Sequence, residues 1–284
     1  MPTILALDTA TADLAVAVRT DAACVSRSVP SGRRTGSLLT PTVAQVCEEA
    51  GVARADLDAI AVGVGPGPYT SLRAGLMFAR TAGFALGIPV VGACTLDVIA
   101  RGVPDEGVAD RVDSGDSGDS GDSLGTPAAR DVGVAPRAVA DLGFDALTPA
   151  AAGEPALLVA IDARRREVYW AAYDGCGRRV TGPRAGPLEE VRSRWPQARL
   201  VQQPPDAGVL AAWVAQGMVA GRTAIDATGP GSAPGLALAR VPTSWDAARA
   251  DGAAAGWVPQ ALLEPEPVYL RRPDAVAPTI AGRS

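Results

Sequence analysis

The sequence predicts an α/β protein of two lobes, each with the element order βββαβα and a mixed sheet. Three observations support this prediction. The first hundred residues contain three adjacent strands followed by strands joined through helices, which is the pattern of a mixed sheet with helices on its faces. The same order of elements returns after residue 155. Between these two stretches, from Val103 to Glu154, the regular pattern is lost.

The elements of the first lobe follow from hydrophobic periodicity. Short apolar runs between turn residues predict strands, and apolar residues three or four apart predict helices. The predicted strands are residues 3–8, 14–19, 23–29, 58–65 and 88–93. The predicted helices are residues 37–51 and the segment that follows the glycine-rich sequence GVGPGP and ends at Gly87.

The second half of the chain repeats this order. Its predicted strands are residues 156–162, 167–174, 177–182 and 198–203, and its predicted helices lie near residues 187–195 and 208–217. The first strand ends at Asp8 in one half and at Asp162 in the other, and the next strand starts six residues later, at Leu14 and Val168. Two facing copies of one unit form the architecture of the actin-like ATPase fold, which includes sugar-kinase, Hsp70-like and RNase H-like proteins.

This pattern predicts four regions along the chain. Residues 1–102 form the first lobe and residues 155–250 the second. Residues 103–154 form a low-complexity, disordered linker, because their repeat DSGDSGDSGDS is polar and lacks the ligand spacing of a calcium loop. Residues 251–284 form a C-terminal segment with a flexible tail. We expect this segment to dock back on the first lobe, with Tyr269 and Leu270 as anchors.

Composition narrows the chemistry that is available. The 284 residues carry a net charge of −5 and include no histidine, and the sequence pI is about 4.9. This balance argues against a surface that tracks a nucleic-acid backbone. Without histidine, the chain cannot form a Ser-His-Asp triad, a Cys-His pair or a histidine-ligated metal site. These classes of catalytic and metal site are therefore excluded, and we expect no cofactor.

Cysteine usage and hydropathy predict a soluble cytoplasmic protein. Cys24, Cys47, Cys94 and Cys176 are widely spaced and form no CxxC pair, which favours free thiols in a reducing compartment. The N-terminus lacks the basic and apolar regions of a signal peptide. No run of about 18 apolar residues predicts a membrane span.

The sequence GVGPGPYTS, residues 63–71, lies between a strand and a helix, where phosphate-binding loops occur. It lacks the motif GxxxxGK[ST], and its two prolines have no backbone N–H to offer an anion. The amides of Tyr69, Thr70 and Ser71 are still available at the start of the helix, so a weak nucleotide or anion contact is one interpretation. The alternative is that Thr70 or Ser71 only caps the helix.

Asp8 and Asp162 end the first strands of their halves, where actin-like ATPases hold phosphate or a metal ion. Asp8 therefore joins the candidate nucleotide contacts. The alternative, favoured because no glycine follows Asp8, is that both aspartates form Asx turns.

Small residues line one side of the helix after this loop. Gly75, Ala79 and Gly83 recur at a spacing of four. Each glycine inside a helix costs about 0.8–1.0 kcal/mol relative to alanine, and close packing against another backbone can offset that cost. The stripe packs on the protein's own sheet, which periodicity alone favours, or it packs on a partner's helix while Leu72, Leu76 and Met77 face the core.

The sequence resembles the TsaB family, in the strings ILALDTAT, GVGPGPYTSLRAGLMFARTAGFALGIPVVG, LLVAIDARRREVYWAAYD and LEPEPVYLRR. The likeness covers residues 1–101, 156–180 and 264–275 in this order, and the combination of GPGPYTSLR with REVYWAAYD is specific. TsaB proteins are the dimerisation subunits of the bacterial complex that makes threonylcarbamoyladenosine in tRNA.

This resemblance implies an actin-like fold and a role as a partner without catalytic activity. A TsaB-like subunit binds and activates a paralogous catalytic subunit, which transfers the threonylcarbamoyl group to N6 of the adenosine beside the anticodon. A small ATPase subunit joins the pair, tRNA is contacted only indirectly, and such proteins pair with themselves when they are alone. The implied partner contact on the two first-lobe helices comprises Leu39, Val43, Leu72, Gly75, Leu76, Ala79 and Gly83.

The resemblance also implies the loss of a metal site. The catalytic paralogue binds metal with an HxxxH helix, and the corresponding positions here are Thr95 and Ile99. Neither side chain can replace an imidazole ligand. A second function stays open, namely an ATP-dependent small-molecule kinase of the same fold.

Two arginine runs, Arg164–Arg166 and Arg271–Arg272, are candidates for contact with tRNA or a partner. The alternative, which the acidic total charge favours, is that they are solvated turn residues or that they pair with local acidic residues. We therefore expect contact with tRNA to be indirect.

Overall fold

Two mixed sheets organise the chain in the computed structural model, which describes residues 1–103, 154–219 and 262–270. The strands are β1 (Ile4–Asp8), β2 (Asp13–Arg19), β3 (Cys24–Pro30), β4 (Ala59–Gly63), β5 (Val90–Ala93), β6 (Leu157–Asp162), β7 (Glu167–Tyr173), β8 (Arg179–Pro187), β9 (Arg199–Val201) and β10 (Leu262–Leu263). The helices are α1 (Thr35–Glu49), α2 (Tyr69–Leu86), α3 (Thr95–Arg101), α4 (Leu188–Arg194) and α5 (Ala207–Val219). No helix in these three ranges has the length and apolar character to cross a membrane.

The first sheet has six strands in the order β10-β5-β4-β1-β2-β3. β1 pairs antiparallel with β2 and parallel with β4, and β4 pairs parallel with β5. Parallel neighbours require a crossover connection, and α2 supplies the one between β4 and β5. The predicted mixed sheet of the first lobe is therefore confirmed.

The second sheet has four strands in the order β8-β7-β6-β9. β6 pairs antiparallel with β7 and parallel with β9, which matches the pairing of β1 in the first sheet. β1 and β6 therefore hold the same place in their sheets, and the prediction of an α/β fold with two mixed sheets is confirmed. Of the predicted linker, residues 103–154, residues 104–153 lie outside the described residues.

Helix α5 differs from the prediction. We assigned residues 208–217 to the second lobe, but α5 packs on the first sheet, against β1, β2, β3 and β4. Ala17, Ala6 and Ala61 lie side by side on neighbouring strands there, and all three are fully buried. This flat layer of small side chains lets α5 approach the sheet closely, and the apolar residues of α5 pack in the same core.

The C-terminal strap, which we define as residues 262–270, extends the edge of the first sheet. β10 pairs antiparallel with β5, and Leu263 is fully buried there. Beyond β10, the N–H of Val268 donates a hydrogen bond to the carbonyl of Val64 at 2.8 Å. The strap therefore contacts both the edge strand and the loop that precedes α2.

Candidate functional site

The glycine-rich loop before α2 packs tightly on the turn between β1 and β2. Thr9 of this turn donates a hydrogen bond from Oγ1 to the carbonyl of Ser71 at 2.8 Å. A Cβ added at Gly67 would lie only 2.5 Å from the carbonyl oxygen of Ala10, so a larger residue cannot make this approach. The glycines of the loop thus bring two segments of the protein together.

Asp8 is enclosed at the end of β1. The side chain is fully buried, with Oδ1 accepting a hydrogen bond from the N–H of Ala10 and Oδ2 accepting one from Oγ1 of Thr95, both at 2.8 Å. A Cβ at Gly63 would overlap the carboxylate. Burial raises the pKa of Asp8 to about 6, and the two hydrogen bonds offset only part of this rise. Both carboxylate oxygens are therefore bound within the protein.

Asp162 makes the equivalent turn at the end of β6. Its Oδ1 accepts a hydrogen bond from the N–H of Arg164 at 2.8 Å, as Asp8 does from the residue two positions later. The Asp162 side chain is exposed, whereas that of Asp8 is not. The alternative that both aspartates form Asx turns is confirmed.

The four residues predicted for a weak nucleotide or anion contact differ in exposure, and a contact through the backbone amides of Tyr69, Thr70 and Ser71 stays a prediction. Asp8 and Ser71 are buried, and Oγ of Ser71 donates to the carbonyl of Pro68 at 3.2 Å. Tyr69 and Thr70 are exposed in the first turn of α2. The alternative that Thr70 or Ser71 caps α2 is wrong, because the N-cap residue of α2 is Pro68 and no side chain makes a capping hydrogen bond.

The glycine stripe of α2 faces the protein's own lobe, which corrects the expectation that it contacts a partner. At Gly75 an added Cβ would overlap the side chain of Thr9, and at Gly83 it would overlap that of Val90. Ala79, between the two glycines, is fully buried. The close approach of α2 to the sheet and to the β1–β2 turn therefore explains why glycine stands at these positions.

The remaining partner-binding candidates also lie on the inner faces of the two helices. Leu39 on α1 is buried, as are Leu72 and Leu76 on α2. Val43 is half-buried. The three leucines therefore serve core packing, and a docking surface on these helices needs other residues. A partner contact of Val43 stays a prediction.

The outward side of α2 carries large apolar side chains. This corrects the expectation that Met77 faces the core, and Phe84 was not among the candidates. Met77 is 59% exposed and Phe84 is 82% exposed, and their spacing of seven places them on one side of the helix. Arg73 and Arg80 are exposed beside them. We call these four residues the outer face of α2. The sequence does contain a signal for it, because α2 is apolar on two opposite sides, whereas an ordinary surface helix is polar outside.

Helix α1 adds a surface of small residues. α1 and α2 are in contact, and Gly36, Thr40 and Ala44 are exposed on α1 at a spacing of four. Small side chains reduce the distance at which a second helix can pack. The two helices together therefore offer both large anchors and room for close approach.

The C-terminal strap borders the outer face of α2. The ring centroids of Tyr69 and Tyr269 are 5.0 Å apart, and the guanidinium of Arg73 lies 5.0 Å from the centroid of the Tyr69 ring. Nη1 of Arg80 lies 2.7 Å from Oε1 of Glu266. Tyr269 of the strap therefore contacts Tyr69, on which Arg73 is placed, and Glu266 of the strap pairs directly with Arg80.

The positions that match the HxxxH helix do not form a metal site. Thr95 is fully buried and bonded to Asp8, and Ile99 is packed in the core. A hydroxyl group and an aliphatic chain do not make a pair of metal ligands. Within the described ranges, no group of three or more His, Cys, Asp or Glu side chains is arranged to hold a metal ion.

The turn between β6 and β7 exposes three successive arginines. Arg164, Arg165 and Arg166 have φ values of 62°, 55° and 63°, which place this turn in the left-handed region. Their side chains are exposed, which fits the alternative that they are solvated turn residues. Arg271 and Arg272 lie outside the described residues, and the indirect contact with tRNA stays a prediction.

Comparison with known proteins gives relatives along most of the chain. A family model described as "TsaD: tRNA N6-adenosine threonylcarbamoyltransferase" matches residues 31–109, which include α1 and α2. An uncharacterised protein of Mycobacterium tuberculosis is 34% identical over 193 residues, covering 66% of this chain and 67% of that protein. The "tRNA threonylcarbamoyladenosine biosynthesis protein TsaB" of Escherichia coli is 29% identical over 172 residues, covering 60% of this chain and 54% of that protein.

Solved structures share the fold. "YeaZ from Pseudomonas aeruginosa" is 24% identical and superposes with a TM-score of 0.52 over 78% of this chain and 94% of that chain. A second Pseudomonas aeruginosa structure, described as similar to YeaZ, is 23% identical with a TM-score of 0.53 over 82% of this chain and 98% of that chain. The fold is the actin-like, RNase H-like α/β fold. On these similarities of sequence and fold, the chain belongs to the TsaB family.

Proposed function

We propose that the chain acts in the biosynthesis of threonylcarbamoyladenosine in tRNA as a non-catalytic subunit that binds and activates a paralogous catalytic subunit. Relatives from Escherichia coli and Bacillus subtilis carry the name of this pathway. The observation that carries the proposal is the outer face of α2, where Met77 and Phe84 are exposed to solvent.

The outer face has the composition of a binding surface. Burying one exposed Phe or Met side chain contributes about 1.5–3 kcal/mol, and adjacent large apolar side chains on a water-exposed helix mark interaction sites. Arg73 and Arg80 supply a charged rim around Met77 and Phe84. Apolar anchors at the centre with arginines beside them are the arrangement that dominates binding energy in protein interfaces.

The closed end of β1 supports a role without catalysis. A kinase of this fold needs room for phosphate beside the first strand, but here Asp8 is bonded to Ala10 and Thr95, and Gly67 packs on the Ala10 backbone. The same contacts leave the Asp8 carboxylate without access to solvent. The proposal of a binding subunit therefore accounts for the structure better than the kinase alternative.

The proposal includes the rest of the assembly. The small ATPase subunit joins the pair, and tRNA is contacted indirectly, through the catalytic subunit. When the catalytic subunit is absent, a second copy of this chain covers the outer face of α2. In each case the same exposed apolar surface is removed from water, which is why one surface serves both partners.

The direct test is the affinity for the cognate catalytic subunit, measured by isothermal titration with purified proteins. Phe84→Glu places a charge where the proposal buries a phenyl ring, so the affinity should fall at least tenfold. Modification of tRNA by the reconstituted complex should fall in parallel at subunit concentrations near the dissociation constant of the unaltered pair.

Ser193→Glu is the matched control, because it adds the same charge at an exposed position of a helix, α4 in the second lobe. Its affinity should equal that of the unaltered chain. If Phe84→Glu is folded, as judged by circular dichroism, and still binds with unchanged affinity, the outer face of α2 is not the docking surface.

A further inference from the structure

A buried polar cluster joins α3 to the second sheet. Asp97 lies on α3, and its Oδ1 accepts a hydrogen bond from the hydroxyl of Tyr173, on β7, at 2.8 Å. Nη1 of Arg179, at the start of β8, lies 3.3 Å from the same oxygen. We call these three residues the interlobe cluster. Its contacts connect α3, which follows β5 of the first sheet, to β7 and β8 of the second sheet.

All three members are withdrawn from water. Asp97 and Tyr173 are fully buried, and the Arg179 side chain is 3% exposed. Burial raises the pKa of Asp97, against the opposing effect of the Arg179 guanidinium, and it raises the pKa of Tyr173 well above its usual value. Taking such groups out of water is costly, so the cluster is a poor means of gaining stability alone.

Further contacts tie α3 into the same region. Arg101, at the end of α3, lies over the ring of Trp213 on α5, 3.7 Å from its centroid. Nη1 of Arg179 also approaches Sγ of Cys94, the residue before α3, at 3.7 Å. Helix α3 therefore contacts α5, which packs on the first sheet, and it also contacts β6 and β7 of the second.

We propose that the interlobe cluster is a latch that fixes the orientation of the two lobes. Apolar surfaces can slide past each other with little change in buried area, whereas a buried carboxylate is compensated only where its partners reach it. A shift of one or two ångströms would separate Asp97 from both Tyr173 and Arg179 and leave only Arg101, on the same helix, to offset its buried charge. The cluster therefore favours one orientation of the two lobes and destabilises orientations that differ slightly from it.

The second oxygen of Asp97 sharpens this selection. Oδ2 is buried and has no hydrogen-bond partner among the described residues. Oδ1 therefore carries the hydrogen bonding of the carboxylate, and both lobe-to-lobe contacts converge on this one atom. The arrangement thus depends on the position of a single oxygen. This dependence holds whichever partner the first lobe binds, so the inference goes beyond the proposed function.

The chain carries its own reporters for a test. Cys24, on β3 of the first sheet, and Cys176, in the turn between β7 and β8, are exposed, whereas Cys47 and Cys94 are buried. Spin labels on the two exposed cysteines give the distribution of distances between the lobes by pulsed dipolar spectroscopy. The unaltered chain should give one narrow distribution.

The decisive variant replaces the whole cluster with apolar residues, Asp97→Leu with Tyr173→Phe and Arg179→Met. Apolar replacement of a buried ion cluster is often neutral or stabilising, so this variant should remain folded while the width of the distance distribution at least doubles. Tyr173→Phe alone removes one hydrogen bond at almost constant volume. It should widen the distribution by a smaller factor.

Arg27→Met is the matched control, since Arg27 pairs with Glu49 inside the first lobe. It should leave the distribution unchanged. If the triple variant is folded and keeps the narrow distribution of the unaltered chain, the latch does not exist. If the triple variant does not fold, Tyr173→Phe decides, and an unchanged distribution in that variant overturns the proposal.

Discussion

The Asp8 carboxylate is held in its charged form at a cost to the fold. Burial raises its pKa from 3.8 to about 6, so the folded protein binds a proton there more tightly than the unfolded chain does. Between these two pKa values Asp8 is protonated in a larger fraction of folded than of unfolded molecules. The free energy of unfolding therefore falls as the pH rises. Above pH 6 the full cost is present.

The variant Asp8→Asn removes this ionisation and keeps the shape of the side chain. Its free energy of unfolding should exceed that of the parent by up to about 3 kcal/mol above pH 7, which is the energy equivalent of the change in pKa. Below pH 4 the two proteins should be nearly equal. Urea unfolding followed from pH 4 to 8 measures the difference.

Asp162→Asn gives the comparison, because Asp162 makes the same turn hydrogen bond with its side chain in contact with solvent. Above pH 7 its effect on the free energy of unfolding should be smaller than that of Asp8→Asn, because the Asp162 side chain is exposed to solvent. A difference between Asp8→Asn and the parent that is constant across this range would contradict the account of Asp8 as a buried, partly compensated charge.

Substitution of two helical glycines compares a position packed against the protein interior, Gly75, with a position on the open surface, Gly36. Gly75→Ala should lower the free energy of unfolding by about 1–3 kcal/mol, because its Cβ would overlap the side chain of Thr9. Gly36→Ala on α1 should raise it by about 0.5–1 kcal/mol, because a Cβ there meets nothing within 4 Å and alanine is the better helix former. Urea titration of both variants checks the pair, and equal effects would refute the inward direction of the stripe.

The spacing of the α2 residues could be read from the sequence, and periodicity alone favoured their inward direction, whereas the family resemblance implied the outward one. A spacing of four predicts that Gly75, Ala79 and Gly83 share one side, and the structure bears this out. Which side faces the core depends on the relative burial of two apolar surfaces, and α2 has large apolar residues on both. The shape of the opposing sheet decides the matter, since Thr9 and Val90 stand where only a residue without a side chain fits.

Among the elements, the C-terminal strap is held mainly by buried contacts. Leu263→Ala should lower the free energy of unfolding by about 2–4 kcal/mol, because Leu263 is fully buried beside β5. Glu266→Gln removes a partly exposed ion pair with Arg80 and should cost no more than about 1 kcal/mol. Thermal unfolding of both variants measures the contrast, and it would be contradicted if Glu266→Gln were the more damaging.

Local pattern was sufficient for most strands and helices, but not for where α5 packs. The bounds of β1 to β5 lie within two residues of those predicted, because each strand is a short apolar run between turn residues. Residues 207–219 follow the second sheet in sequence, so we assigned them to the second lobe. Their place on the first sheet depends on the alanine layer of Ala17, Ala6 and Ala61, which only forms once three strands are paired.

For the whole molecule, we propose a division that differs from a simple cut between halves. The first lobe comprises residues 1–102 with α5 and the C-terminal strap returning to its sheet, and the second lobe comprises the sheet of β6 to β9 with α4. The first lobe thereby gains support on both faces and at one edge of its sheet. In this organisation the outer face of α2 remains on the surface as the docking site.

The most direct test of that docking site is a photocrosslink from Phe84. A photoreactive benzoyl-phenylalanine at this position, irradiated in a mixture with the cognate catalytic subunit, should give a covalent heterodimer. The same residue at Ser193, on α4, should give none. Retained binding with no crosslink from Phe84, or equal crosslinking from both positions, would contradict the assignment of the partner interface.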